Sequence, residues 1–286
     1  MQELEKSIKH LKLGKSTGPS GLLSEMIKST FSDISPILLT LYNQIFETGQ
    51  FPSSWGQSIL CPFFKSGSLS DPNNYRGISL IGTLNKILTG MMFNRLTEWA
   101  DNNQKVDEVQ SGFKKGYSTI DNLFTLQAMI QKYISKKGGR FYCLYVDFRK
   151  AFDTKDYLQL VNCLIRKGVG GNYLKLLVSM YSSLSSCVRV DSNSYTEFFK
   201  CNIGCRQGCK LSTILFNLFI NDLIDELKHT CHDGVQITND IEDIFAILYA
   251  DDMANCADTV RRLQSQINVI SSFCDRTGMQ INLKKH

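Results

Sequence analysis

Three aspartates carry the chemistry open to this sequence. Asp251 and Asp252 stand side by side inside IFAILYADDMANCA, residues 244–257, a run that otherwise reads as buried strand. Neighbouring residues of a strand point to opposite faces. At a tight hairpin tip both carboxylates can converge, and the apolar runs 244–248 and 253–257 on either side support that hairpin. Converged carboxylates repel each other, so the arrangement requires a cation or a shared proton. Carboxylate oxygens are hard ligands that select Mg2+ or Mn2+. A third acid would complete a two-ion site for phosphoryl transfer, with metals roughly 3.5–4 Å apart. Asp147, at the end of the aromatic strand 140–148, is the best candidate. Alone, Asp147 reads as a strand-end cap and Asp251-Asp252 as a surface turn. Together they read as a site.

Other constellations fail on spacing. Gly14-Lys15-Ser16-Thr17 resembles a phosphate loop, but Lys9 stands where that motif needs its first glycine, and Pro19 and Gly21 oppose the helix that should follow. Cys201, Cys205 and Cys209, with His229, Cys231 and His232 downstream, invite a zinc reading. The C-x3-C-x3-C spacing is not that of a usual zinc module.

The elements that must position the acids follow from periodicity. Leu4, Ile8 and Leu11 predict a helix over 2–12. Helices are expected over 22–30 and 36–48, the latter with Ser35 as N-cap and Pro36 in its first turn. SILCPFF (58–64) reads as a strand, placed at a sheet edge by Pro62. A turn-rich loop (65–77), a helix over 83–99, a basic loop (110–119) and a helix over 120–136 follow. After strand 140–148 come helices over 156–167 and 171–183, with Asp153 capping the first. Runs 186–191 and 196–201, joined by DSNS, predict a hairpin, and 210–228 a buried helix. A helix over 259–276 carries Leu263, Ile267, Ile270 and Cys274 on one face, and MQINL closes the chain as a strand. No repeat or low-complexity tract interrupts this order.

Composition sets outer limits. At 286 residues, 43% hydrophobic and 21% charged, the chain is an ordinary globular protein with room for a sizeable core. A formal charge of +5 permits a polyanionic partner without demanding one. Most of the ten cysteines, among them Cys61, Cys143, Cys163, Cys187, Cys256 and Cys274, lie singly in apolar stretches, as buried thiols do in a reducing compartment. The charged start QELEKSIKHLKL is not a signal peptide, and no apolar run reaches membrane-spanning length. The expectation is an intracellular chain, nuclear or cytoplasmic, with no membrane partner.

Seven ordered blocks carry a family resemblance. YVDFRKAFD (145–153), GCRQGCKLSTILFNLFINDL (204–223), YADD (249–252) and TGMQINLKK (277–285) resemble the four palm motifs of reverse transcriptases of the non-LTR, LINE type. GKSTGPSG (14–21), FFKSGSLSDPNNYRGISL (63–80) and GFKKGYSTIDNLFTL (112–126) resemble that family's finger motifs. The resemblance implies an α+β right-hand polymerase fold: fingers (1–137) and palm (138–286) in one domain, with an antiparallel palm sheet packed on helices. It implies RNA-directed DNA polymerisation with an RNA template, a DNA primer, deoxynucleoside triphosphates and two Mg2+ or Mn2+ ions. Asp147 and Asp251 would hold both metals, with Asp252 in support. Phe152 would be the steric gate against a ribose 2′-hydroxyl, and Gln207 and Gly208 would lie under the templating pair. Lys65 and Arg76 would grip the incoming triphosphate, and Lys285 would be general acid to the leaving pyrophosphate.

The chain departs from that pattern in places. Lys210 and Thr213 replace prolines, Ser20 an aspartate, and Lys114 an arginine, which trades a forked donor for a point charge. Thr154-Lys155-Asp156 departs from the usual apolar continuation. The sequence stops just past the fourth palm motif, so no thumb and no endonuclease domain are expected, as in a retrotransposon fragment. A catalytically weak nucleic-acid-binding module with the polymerase fold is the competing expectation.

Overall fold

Short apolar segments such as YCLYVD and AILY build the strands, and 3.6-residue periodicity builds the helices that cover them. The computed structural model describes residues 1–149, 156–192, 194–204, 206, 208–231, 234–238 and 243–282. Along them run α1 (Gln2–Lys9), α2 (Ser24–Ser29), α3 (Phe31–Thr48), β1 (Gln57–Phe64), β2 (Tyr75–Ile81), α4 (Thr83–Asn102), α5 (Thr119–Ile134) and β3 (Tyr142–Asp147). They are followed by α6 (Tyr157–Lys167), α7 (Gly171–Ser182), β4 (Ser185–Val188), β5 (Phe199–Lys200), α8 (Leu211–Thr230), β6 (Ala246–Tyr249), β7 (Asp252–Ala257) and α9 (Val260–Thr277). The chain divides into two compact units: Met1–Trp99 with Asp156–Ser212, and Ala100–Lys155 with Thr213–His286.

The first unit is built on a sheet of order β2-β1-β4-β5. Sequence placed β1 at an edge because of Pro62. The strand is instead central, antiparallel to β2 and parallel to β4. Pro62 is tolerated because pairing with β4 ends at Leu60, so at Pro62 the strand has β2 alone beside it. Pro36 also departs from expectation. It lies inside α3 rather than in its first turn, and Thr30, not Ser35, stands at the N-cap. The Ser35 hydroxyl donates to the Ser32 carbonyl at 3.5 Å, filling the acceptor that a proline at position 36 leaves without its amide. Asp156 caps α6, accepting from the Leu158 amide at 2.9 Å; Asp153, expected in that role, lies outside the described residues. The two runs on either side of DSNS pair as a hairpin as expected, with Ser185 opposite Lys200 and Arg189 bridging Tyr195; Asn193 between them lies outside the described residues.

The second unit carries an antiparallel sheet of order β3-β7-β6, packed on helices as expected. One face is covered by α9, anchored where the Gln266 side-chain amide donates to the Cys256 carbonyl and accepts from Asn255. The buried stripe of α9 is Gln266, Val269, Ile270, Phe273 and Cys274. Of the expected stripe, Ile270 and Cys274 are buried, whereas Leu263 and Ile267 are only half-buried. The helix is rotated so that Gln266 enters the core, where Asn255 Nδ2 and the Cys256 carbonyl satisfy its amide. Met129 of α5 packs on the other face with Ile247 and Cys256. The final segment joins the free edge of β3 through a bridge between Phe148 and Ile281.

Candidate active site

Asp252 opens β7, and its partner across the ladder is Asp147. Asp251 and Asp252 are both expected at a hairpin tip, but only Ala250 and Asp251 occupy the two-residue turn, since Tyr249 pairs with Asp252. The Asp147 carbonyl accepts from the Asn282 amide at 2.8 Å, on the edge of β3 away from β7. Asp147 and Asp252 therefore form a non-hydrogen-bonded pair, the class in which Cα atoms stand about 4.5 Å apart and side chains lie closest. Both side chains share the sheet face that α5 covers further along. The Asp147 Oδ2 also accepts from Asn282 Nδ2 at 2.8 Å.

The turn is strained and clamped. Ala250 has φ 58°, in the left-handed region. A positive φ at the first turn position alone is the type II′ pattern, which glycine normally fills. Loop residues just before α5 hold it there. The buried Gln110 side chain donates to the Ala250 carbonyl at 3.0 Å and accepts from the Ala250 amide at 3.0 Å and the Gly112 amide at 2.8 Å. Ser111 donates to the Leu248 carbonyl through both amide and hydroxyl. Gly112 must be glycine, because a Cβ there would stand 2.0 Å from the Ala250 nitrogen. Asn217 and Asn221 of α8 bind the loop at Gly112 and Asp107. Sequence reasoning passed over Gln110 and Ser111. The only signal was two uncharged polar residues ahead of a glycine in a loop otherwise rich in lysine. Lys114, which stands where the family pattern has an arginine, donates to the Asp107 carbonyl at 3.0 Å.

In the first unit, Lys65 and Arg76 lie at the loop end of the β1–β2 hairpin. Phe63 pairs with Arg76, and the Lys65 amide donates to the Asn74 carbonyl at 2.9 Å. Lys65 and Arg76 are thus diagonal neighbours on one face, and both are exposed. Gly208 sits at φ 112° with its α-carbon against β2, and an added Cβ would lie 2.9 Å from the Ser79 carbonyl oxygen. Gly208→Ala is expected to cost about 1–3 kcal/mol in chemical denaturation through that clash and the unfavourable φ. Arg206 is turned inward, its guanidinium donating to the Gly56 and Ser185 carbonyls. Burial lowers its pKa. It is an anchor for the turn into α8 rather than a ligand. A cavity of about 400 Å3 is lined by His10, Lys12, Lys15, Lys86, Gly208 and Lys210, with the unpartnered hydroxyl of buried Ser7. Burial also lowers the Lys86 pKa. The loop lysines of this basic cavity were visible in sequence, but their convergence with α4 was not.

Phe152, Gln207 and Lys285 lie outside the described residues, as do Cys205 and His232 of the rejected zinc reading. Among the described residues, no three His, Cys, Asp or Glu side chains gather closely enough to hold a metal ion. The structure thus shows an opposed carboxylate pair with a third acid on the adjoining turn residue. Hard oxygen donors on a sheet face suit a divalent cation in chemistry. Among the described residues, no helix is long and apolar enough to cross a membrane.

A family profile described as reverse transcriptase (RNA-dependent DNA polymerase) matches residues 65–286. The chain is 27% identical to the Drosophila melanogaster protein "Probable RNA-directed DNA polymerase from transposon BS", over 100% of this chain and 31% of that protein. It is 27% identical to the "Retrovirus-related Pol polyprotein from type-1 retrotransposable element R2" of Popillia japonica, over 83% of this chain and 32% of that protein. The chain spans about a third of the length of these curated relatives. Among solved structures, apo telomerase from Candida tropicalis, truncated from its C-terminal domain, superposes with TM-score 0.57 at 14% identity, over 90% of this chain and 54% of that chain. That likeness is one of fold, the right-hand polymerase fold.

Proposed function

Because this chain belongs to the reverse transcriptase (RNA-dependent DNA polymerase) family, with retrotransposon polymerases among its relatives, we propose that it extends a DNA primer on an RNA template. In that reaction the primer 3′-hydroxyl oxygen bonds to the α-phosphorus of a deoxynucleoside triphosphate, and the bond to pyrophosphate breaks. Enzymes of this family use divalent metal ions, and in our reading Asp147, Asp251 and Asp252 hold two of them, Mg2+ or Mn2+. Held there, such ions would supply positive charge to offset the triphosphate and the oxyanion of the primer hydroxyl. The chain's own part is placement. Lys65 and Arg76, side by side on one hairpin face, donate to phosphate oxygens. Gly208 lets backbone lie close beneath the templating base pair with Gln207. By family resemblance Phe152 excludes a 2′-hydroxyl and Lys285 protonates the leaving group.

The observation that most supports this reading is the opposed pair Asp147 and Asp252, with Asp251 on a turn clamped by Gln110. Like charges opposite each other are unfavourable in a sheet unless something between them compensates. Primer extension on RNA and DNA templates, with Mg2+ or Mn2+ and each nucleotide type, tests it. The chain is expected to extend a primer on RNA with deoxynucleotides, and Asp251→Asn to lose about 10³-fold of that rate. Native and Asp251→Asn chains that bind primer–template equally and extend it not at all would favour the binding-module reading instead.

A further inference from the structure

A second opposed pair lies on the same two strands. Cys143 and Cys256 are partners in the ladder, four residues along each strand from Asp147 and Asp252. The Cys256 amide donates to the Phe245 carbonyl at 2.9 Å, on the β6 side. Its hydrogen-bonding groups thus face away from β3, and Cys143 and Cys256 form a non-hydrogen-bonded pair with adjacent side chains. Opposed Cβ atoms stand about 4.5–5.5 Å apart, against about 3.5–4.5 Å in a disulfide, so a small closure suffices. Both thiols are free. Cys256 is fully buried, whereas Cys143 is half-buried and so open to a small reagent. No other two cysteines of the described strands are ladder partners.

We propose that Cys143 and Cys256 are an oxidisable dithiol that a hydroperoxide closes to a disulfide across β3 and β7. The Cys143 thiolate attacks one peroxide oxygen, the O–O bond breaks, and the sulfur becomes a sulfenic acid as the first water or alcohol leaves with a proton. The Cys256 sulfur then attacks the Cys143 sulfur, the S–O bond breaks, and water leaves with the Cys256 thiol proton. Two thiols together give two electrons and two protons to the peroxide. The order of attack follows from the environment. The hydrogen bond from the Cys256 thiol lowers the Cys143 pKa to about 7, which makes its thiolate available near neutrality. The same contact and burial raise the Cys256 pKa and hold it as the second, resolving thiol. The product would pin the register of the two strands that carry Asp147 and Asp252, whatever reaction those acids serve.

The test is hydrogen peroxide on the purified full chain, followed by alkylation and peptide mapping without reduction. The expected result is a linked peptide pair joining Cys143 to Cys256, lighter by two hydrogens and split by dithiothreitol. Two alkylatable thiols per chain should be lost with it. Cys143→Ser, a near-isosteric change at a half-buried position, should abolish the linked pair and leave Cys256 alkylatable after the same treatment. Cys143 recovered as sulfinic acid while Cys256 remains a free thiol would overturn the proposal. So would Cys143 joined to a different cysteine.

Discussion

Asp147→Asn is expected to abolish nucleotide addition, by about 10³-fold, while making the chain more stable when no divalent ion is present. The two effects share one cause. Asp147 and Asp252 face each other in a non-hydrogen-bonded pair, and like charges so placed oppose folding by about 0.2–1 kcal/mol. Asparagine removes the repulsion, and its remaining carbonyl oxygen can still accept from Asn282 Nδ2, which holds Asp147 at 2.8 Å. Denaturation in chelator should therefore show the variant ahead by about 0.5–1 kcal/mol. Adding Mg2+ should reverse the order, because a ligand that binds only the folded native chain stabilises it, by about 2.7 kcal/mol at a hundredfold excess over Kd. A variant less stable than the native chain in chelator would contradict the opposed-carboxylate account. An order unchanged by Mg2+ or Mn2+ would leave Asp147 without a cation to hold.

The parts of this arrangement differ in how legible they were from sequence, and the difference follows sequence separation. The helices α6, α7 and α9 and the β6–β7 hairpin are set by periodicity and turns within a few residues, and sequence places each to within about three residues of its observed ends. Pairing between distant segments carries no local signal. Nothing near Pro62 shows that β4 runs beside only the first half of β1. Asp147 and Asp251 could be joined into one site because residue type and family motif both marked them. That Asp252, rather than Asp251, would be the ladder partner of Asp147 depends on a two-residue turn and could not be read. The rotation of α9 is similar: Leu263 and Ile267 look like core on hydrophobicity alone, yet buried Gln266 is satisfied by Asn255 and takes their place.

Gln110 was the least visible of the residues around the acids, and Gln110→Ala is expected to be among the most damaging substitutions in the second unit. The side chain is 1% exposed, and it joins the Ala250 carbonyl, the Ala250 amide and the Gly112 amide. Truncation leaves three buried backbone groups with no partner, each of which costs about 1–3 kcal/mol where water cannot replace the side chain. Ala250, a non-glycine residue at φ 58°, simultaneously loses the contacts that hold it in a disfavoured conformation. A total of about 3–5 kcal/mol is expected in urea denaturation. Gln110→Glu should retain the acceptor contacts while losing the donation to the Ala250 carbonyl. Its damage should centre on the turn, seen as faster amide exchange at Ala250 and Asp251 while the helices stay protected. Because Asp251 follows Ala250 directly, nucleotide addition by Gln110→Glu should fall under conditions where the variant is still fully folded, as a misplaced carboxylate requires. A Gln110→Ala cost below about 1 kcal/mol, with unchanged exchange at Ala250, would show that the turn holds its shape without the clamp.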